Sequence, residues 1–213
     1  MSYSDFTLPE LKKRFQLTTD EATDLFADVE EVSVSTLLAE LLAENVPLAL
    51  AIHTEKARSE LIVAPLLVEL RKVCQRRISL FSGTDFVVDP GQGLTGSADF
   101  IISRSTEQLY ITAPVVVIVE AKRDSIKDDL GQCIATMVGA QVFNEREQTG
   151  ITAIYGMVTT GSIWQALRLE AQAIWIDRRE HYIEQPGKIL AILLKMVGFP
   201  APISSPATAL TTK

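Results

Sequence analysis

Glu120 and Lys122 end an otherwise apolar run, Pro114-Val115-Val116-Val117-Ile118-Val119-Glu120-Ala121-Lys122. An unbroken β-branched run reads as a strand covered on both faces. Alternate residues of a strand share a face, so Glu120 and Lys122 point one way and Ala121 the other. Two strand rises set them roughly 7 Å apart along the chain. Packing gives a covered strand no reason to end in a carboxylate and an amine, whereas activation of water at a bound metal does. Asp99 suits the same chemistry. It lies in Gly96-Ser97-Ala98-Asp99-Phe100-Ile101-Ile102, an earlier strand with Asp99 and Ile101 on one face and Phe100 and Ile102 on the other.

Magnesium takes oxygen ligands, commonly one or two carboxylates completed by water. Asp99 and Glu120 are expected to supply those oxygens, with the backbone carbonyl of Ala121 as a further one. Such an ion, for which manganese can substitute, polarises a phosphate oxygen and lowers the pKa of a bound water. Lys122 is expected to orient that water or to stabilise developing negative charge. Glu60, set among Leu61, Ile62, Val63 and Ala64, would bind through water or hold a second ion. Its competing reading is a helix-surface charge. Gln132 would position Lys122, the water or a phosphate, against ordinary helix–sheet hydrogen bonding.

The elements that must hold these groups follow from periodicity. Leu8 to Phe15 and Thr18-Thr19-Asp20-Glu21 read as helix signals in an N-terminal helical extension over 1–50. Ser35 to Glu44 carries Leu37, Leu38, Leu41 and Leu42 at helical spacing, a core stripe or a homodimer face. A helix from about Thr54 to Cys74 should kink at Pro65. Strands are expected at Ile78–Phe81 and Phe86–Asp89, either side of a turn at Ser82-Gly83-Thr84-Asp85. The loop containing Gly91 and Gly93 lacks the lysine of a phosphate-binding loop and reads as turns. A helix from about Ser125 to Phe143, capped by Asp124 or Ser125 with Asp128 and Asp129 at its positive end, follows the key strand. Its Gln132, Ala135, Thr136, Gly139 and Phe143 form a face of small residues that would let it lie close on the sheet. Strands at Thr152–Thr160, Ile163–Leu169, Ala173–Ile176 and Tyr182–Glu184, turned at Gly161-Ser162, make a meander. A helix over Lys188–Val197 closes the domain, and 201–213 reads as a loose tail.

Glu60 on a helix, Asp99 on a strand, Glu120-Ala121-Lys122 on the next strand and Gln132 on the following helix together resemble the PD-(D/E)XK nuclease superfamily. The order helix, three strands, helix, strand over about 54–160 is similar to that family's core. The resemblance implies a restriction-endonuclease-like α/β (α+β) fold: a central mixed four-stranded sheet flanked by helices, with the C-terminal antiparallel strands as an addition. It implies a metal-dependent nuclease acting on nucleic acid, DNA first, with Asp99 as the metal aspartate and Glu120 and Lys122 as the E-x-K element. Glu60 matches the acidic residue of the first helix and Gln132 the helix glutamine. Ala98 departs from the pattern, standing where the family has its name-giving proline, which is not a ligand. The wider chain is also similar to a group of uncharacterised cyanobacterial proteins. That likeness rests on Glu120-Ala121-Lys122, Gly131-Gln132-Cys133-Ile134-Ala135, Phe143-Asn144-Glu145 and Tyr155-Gly156-Met157-Val158-Thr159-Thr160-Gly161, and it brings no activity with it. A non-catalytic nucleic-acid-binding or protein-interaction module on the same fold is the alternative, since a fold does not dictate a function.

Composition bounds these readings. The chain has 213 residues, enough for one sizeable domain, here 51–200. A net charge of −7 counts against coating nucleic acid without specificity, although Arg71, Lys72, Arg76 and Arg77 form a basic cluster. No apolar run reaches a membrane span. Cys74 and Cys133 are too few for a disulfide framework or a zinc site, so a cytoplasmic, reduced setting is expected. His53 and His181 read as structural, and Trp164 and Trp175 as core.

Overall fold

A computed structural model describes residues 1–122, 126–127 and 130–200. The strands are β1 (Thr18–Asp20), β2 (Ser79–Asp85), β3 (Ser97–Ser103), β4 (Val115–Ala121), β5 (Ala153–Thr159), β6 (Ile163–Glu170) and β7 (Ala173–Tyr182). They form one seven-stranded mixed sheet in the order β1-β7-β6-β5-β4-β3-β2, not a sheet of four. The larger sheet arises because the C-terminal meander continues hydrogen bonding outward from β5, and β1 then pairs in parallel with β7. Thr18–Asp20 is therefore an edge strand where a helix start was expected. Asp20 still caps, but its Oδ1 accepts from Ala22 and Thr23 in a turn.

The helices are α1 (Leu8–Arg14), α2 (Thr36–Ile52), α3 (Glu55–Arg58), α4 (Ala64–Val73), α5 (Leu130–Arg146) and α6 (Pro186–Val197). Residues of α2, α4 and α6 pack with Phe100, Ile102, Val117 and Val119 on one face of the sheet. On the other face, α5 packs against Ile101, Ile118 and Val158. The N-terminal Tyr3, Phe6 and Leu11 are buried in that same cluster. Helix α2 runs through residue 50, and β1 lies in the sheet, so residues 1–50 take part in both cores.

Three local differences from the sequence reading have plain causes. Residues 82–85 continue β2 rather than turn, because they stay paired with β3 in one register (Ser82↔Phe100, Thr84↔Ala98, Asp85↔Ser97), with Gly83 at φ +59° between them, a conformation glycine adopts without strain. Pro65 produces a widened π-helical turn at Ser59–Val63 and then sits in the first turn of α4. Pro65 has no N–H for the Leu61 carbonyl four residues back, and the side chain of Asn45 on α2 donates to that carbonyl at 3.1 Å. The small-residue face of α5 reaches the end of β4 at Gln132 but at Gly139 meets the N-terminal segment, where a Cβ would strike the Tyr3 hydroxyl; beside that face, a Cβ at Gly131 would strike the Phe6 carbonyl oxygen. Close approach of helix to sheet is made from the strand side, where Gly156 of β5 leaves room for Met137 and Cys133.

The expected strand at 173–176 runs on to Tyr182 as β7, whereas the strand expected at 182–184 does not form, Ile183 and Glu184 lying in the turn that follows β7; Trp175 is half-buried beneath Arg168 instead of filling the core. Trp164 is fully buried and donates its Nε1 hydrogen to Gly161 O at 2.9 Å. The expected cap residues Asp124, Ser125, Asp128 and Asp129, and the tail 201–213, lie outside the described residues.

Candidate active site

Parallel pairing of β4 with β5 requires a crossover, and α5 provides it. The first turn of α5 therefore stands over the C-terminal end of β4. Antiparallel pairing of β3 with β4 puts Phe100 opposite Val119 and brings Asp99 to the same end. Topology thus collects Asp99, Glu120, Lys122 and Gln132, from three elements, on the α5 face of the sheet.

Three of these side chains form one hydrogen-bonded chain, and Asp99 is held beside it. Lys122 Nζ donates to Gln132 Oε1 at 3.0 Å, and Gln132 Nε2 donates to Glu120 Oε2 at 3.0 Å. The Ala121 N–H donates to Asp99 Oδ2 at 2.8 Å, which holds the aspartate against the end of β4. Thr136 Oγ1 donates to the Gln132 carbonyl at 2.9 Å. The Lys122 backbone N–H donates to Thr159 O at 2.7 Å, which ties the lysine to the neighbouring parallel strand.

Glu120 is fully buried; its Oε1 makes no well-formed hydrogen bond, and the side chain and N–H of Asp99 lie beside its carboxyl. Burial is the chief reason its carboxyl is held well above the usual carboxylate range. The Asp99 carboxylate beside it pushes the same way, and Lys122 only partly opposes them. Cys133, one residue beyond Gln132, is buried against the same cluster, and its thiol is pushed up by burial and by Glu120. It is the small buried hydrophobe that the sequence implied.

A buried, unpartnered carboxylate oxygen beside a second carboxylate is an arrangement that a hard divalent cation would relieve. Glu120 Oε1 and the Asp99 carboxylate fit such an ion by donor chemistry. Among the described residues, no group of three or more His, Cys, Asp or Glu side chains stands close enough to hold a metal, so water would complete the coordination.

The structure does not bring Glu60 into this network. It sits in the π-helical turn, is 63% exposed at its side chain, and pairs with Lys56 at 3.7 Å. That turn packs on the opposite face of the sheet from α5.

Two polar groups near sheet ends were not singled out from the sequence. Arg58 is 6% exposed; its Nη1 donates to Thr160 O at 2.6 Å and its Nη2 lies 3.1 Å from His53 Nδ1. In Glu55-Lys56-Ala57-Arg58 it looks like one more surface charge, and nothing local marks it as buried. Asp177, 1% exposed, accepts from the Leu25 and Arg179 N–H groups and pairs with His181 Nε2 at 3.2 Å. That pair gives His181 the structural role expected of it.

Comparison of the chain with protein-family models, with curated proteins and with solved structures finds no match in any of the three. Among the described residues, no helix is long and apolar enough to cross a membrane. The observations define a mixed α/β protein with a seven-stranded mixed sheet and a buried acid–amide–lysine cluster at one end of it.

Proposed function

We propose that this chain is a metal-dependent phosphodiesterase of nucleic acid, DNA first, with its site at Asp99, Glu120, Lys122 and Gln132. The observation that carries the reading is Glu120. It is a fully buried carboxylate with one orphan oxygen, placed beside Asp99 and joined through Gln132 to a lysine. A core that only had to be stable would hold an apolar residue there. The similarity of this strand and helix order to the PD-(D/E)XK superfamily supports the same reading.

Asp99 and Glu120 would hold magnesium or manganese, with the Ala121 carbonyl as a further oxygen. The ion supplies charge neutralisation at the phosphate and a bound water of lowered pKa. Lys122 presents an ammonium group where negative charge develops on phosphorus oxygens. Gln132 fixes that ammonium by accepting from it and fixes the Glu120 carboxyl by donating to it, so one side chain sets the separation of acid and cation. The Thr159 carbonyl anchors the lysine backbone. Burial of Glu120 and Lys122 strengthens the interactions that these two groups make.

The test is cleavage of single- and double-stranded DNA and RNA in magnesium and then manganese, with Lys122→Ala run beside the wild type and folding checked by circular dichroism. Metal-dependent cleavage lost in a folded Lys122→Ala supports the assignment and names the substrate class. Cleavage retained in that variant removes Lys122 from the mechanism. Absence of both cleavage and calorimetric metal binding points to the alternative, an interaction module, which the net charge of −7 favours.

A further inference from the structure

Helix α2 is apolar nearly all round, yet only one edge of it is covered. Leu38, Leu42 and Ala49 are buried. Leu37, Leu41, Leu48, Leu50 and Ile52 are between 38% and 60% exposed, and Ala39, Ala43, Pro47 and Ala51 are exposed beside them. Glu40 and Glu44 are its only charged residues. Helices with that composition belong in an interior. Val68, on the neighbouring α4, adds a further apolar side chain at 59% exposure.

The arrangement of the exposed residues says what would cover them. At 3.6 residues per turn, Leu37, Leu41, Leu48 and Ile52 fall on one stripe. Their spacing reads the same in both directions about a point between Glu44 and Asn45. Turned end for end, a second α2 places its Ile52 opposite Leu37 and its Leu48 opposite Leu41. A twofold interface requires this self-complementarity, because one patch must serve both partners. The antiparallel arrangement also sets the positive end of each helix dipole against the negative end of the other. A lipid surface is a poorer match, since interfacial helices carry Lys and Arg on their polar face and α2 has neither.

We infer that the exposed face of α2 docks against the same face of a second copy of this chain, the two helices antiparallel about the point between Glu44 and Asn45. The size of the face sets the strength. A helix of 17 residues is about 25 Å long, and with α4 alongside the face is about 20 Å wide. That is about 500 Å² per copy, short of the roughly 800 Å² of a standard stable interface. The dimer is therefore weak, with a dissociation constant of about 1–100 µM. This inference stands apart from the nuclease reading, because α2 contributes nothing to the acid–amide–lysine cluster.

Sedimentation velocity over a concentration series spanning about 1–300 µM tests it. The wild type should pass from monomer to dimer. Leu41→Glu with Leu48→Glu should raise the dissociation constant about 100-fold or more, with an unchanged circular dichroism spectrum because both positions are already exposed. Leu109→Glu, at a site 90% exposed elsewhere, should leave the dimer intact. Under oxidation Glu44→Cys should link to itself between copies, while the buried Cys74 and Cys133 stay out of reach. Leu37→Cys should link only to an Ile52→Cys partner. A wild type that stays monomeric throughout overturns the inference, as does a dimer indifferent to the double glutamate variant. A monomer that floats with vesicles through the same leucines also overturns it and makes lipid the occupant.

Discussion

Replacing Glu120 by Gln should make the metal-free protein more stable while removing its capacity to bind metal. Glu120 is fully buried, with one oxygen held by Gln132 and the other unpartnered. An amide keeps the shape, still accepts from Gln132 Nε2, and turns an NH₂ toward the Asp99 carboxylate in place of a second acid. An unsatisfied buried polar atom costs about 1–3 kcal/mol, so relieving it should return a gain of that order. For a chain of 213 residues this corresponds to a rise of about 2–12 °C in Tm. The sign with pH follows from the raised carboxyl pKa in the folded protein. Below the unfolded value of about 4.3 the acid is neutral in both states, and the variant gains least. As pH rises above that value, the unfolded chain ionises freely while the folded one resists. Wild-type stability then falls and the advantage of Gln grows. The assay is thermal unfolding in chelator from pH 4 to pH 8, repeated with magnesium and with manganese. In metal the order should reverse, the wild type gaining Tm and the variant not. A Glu120→Gln protein less stable than wild type in chelator at pH 8 would show that Glu120 is a satisfied structural group, and the argument for a cation site would fall.

Three further outcomes follow from the packing. Gln132→Ala severs the bonds to both Lys122 and Glu120; it should cost about 1–3 kcal/mol in urea unfolding and depress any metal-dependent cleavage together with metal affinity. Gly131→Ala should destabilise by about 1–3 kcal/mol, because its Cβ meets the Phe6 carbonyl, whereas the same change in an open helix stabilises by about 0.5–1 kcal/mol. A shift of the denaturant midpoint upward would mean that the N-terminal segment does not press on α5. Asn45→Ala should orphan the Leu61 carbonyl at a cost of about 1–3 kcal/mol. That cost should shrink when Pro65→Ala restores a backbone donor, as a double-mutant cycle in urea would reveal.

The elements that carry the site were legible because each is strongly local in origin. The β-branched run at 115–119 reads as a covered strand, and the covering continues over its charged end, Glu120 and Lys122. Alternation placed Asp99 and Ile101 on one face, and Ile101 does lie in the α5 cluster. Gln132 was expected near the sheet, and it bonds both charged groups at the end of β4. Illegible were the features that depend on a partner far along the chain. Thr18–Asp20 becomes a strand because β7 offers an open edge 154 residues away, where Gln172 O accepts from the Thr18 N–H. Leu37, Leu38, Leu41 and Leu42 read as a single stripe, but the fold divides them, burying Leu38 and Leu42 and exposing Leu37 and Leu41. Arg58 and Asp177 are polar in sequence and buried in space, each satisfied by backbone groups that the chain delivers from elsewhere.

What the sequence determined by itself is therefore the local conformations and the inventory of reactive groups: a carboxylate and an amine two residues apart at a strand end, an earlier strand with an aspartate, and a helix with a glutamine. Periodicity needs no knowledge of distant residues, since steric preference and burial pattern act within a few positions. Tertiary structure decided which of those groups share a site. It joined Asp99, Glu120, Lys122 and Gln132 by pairing β3 with β4 and carrying α5 across to β5, and it sent Glu60 to solvent beside Lys56. The physical reason is that sheet order and helix placement are set by the burial of whole faces, to which a single polar side chain contributes little.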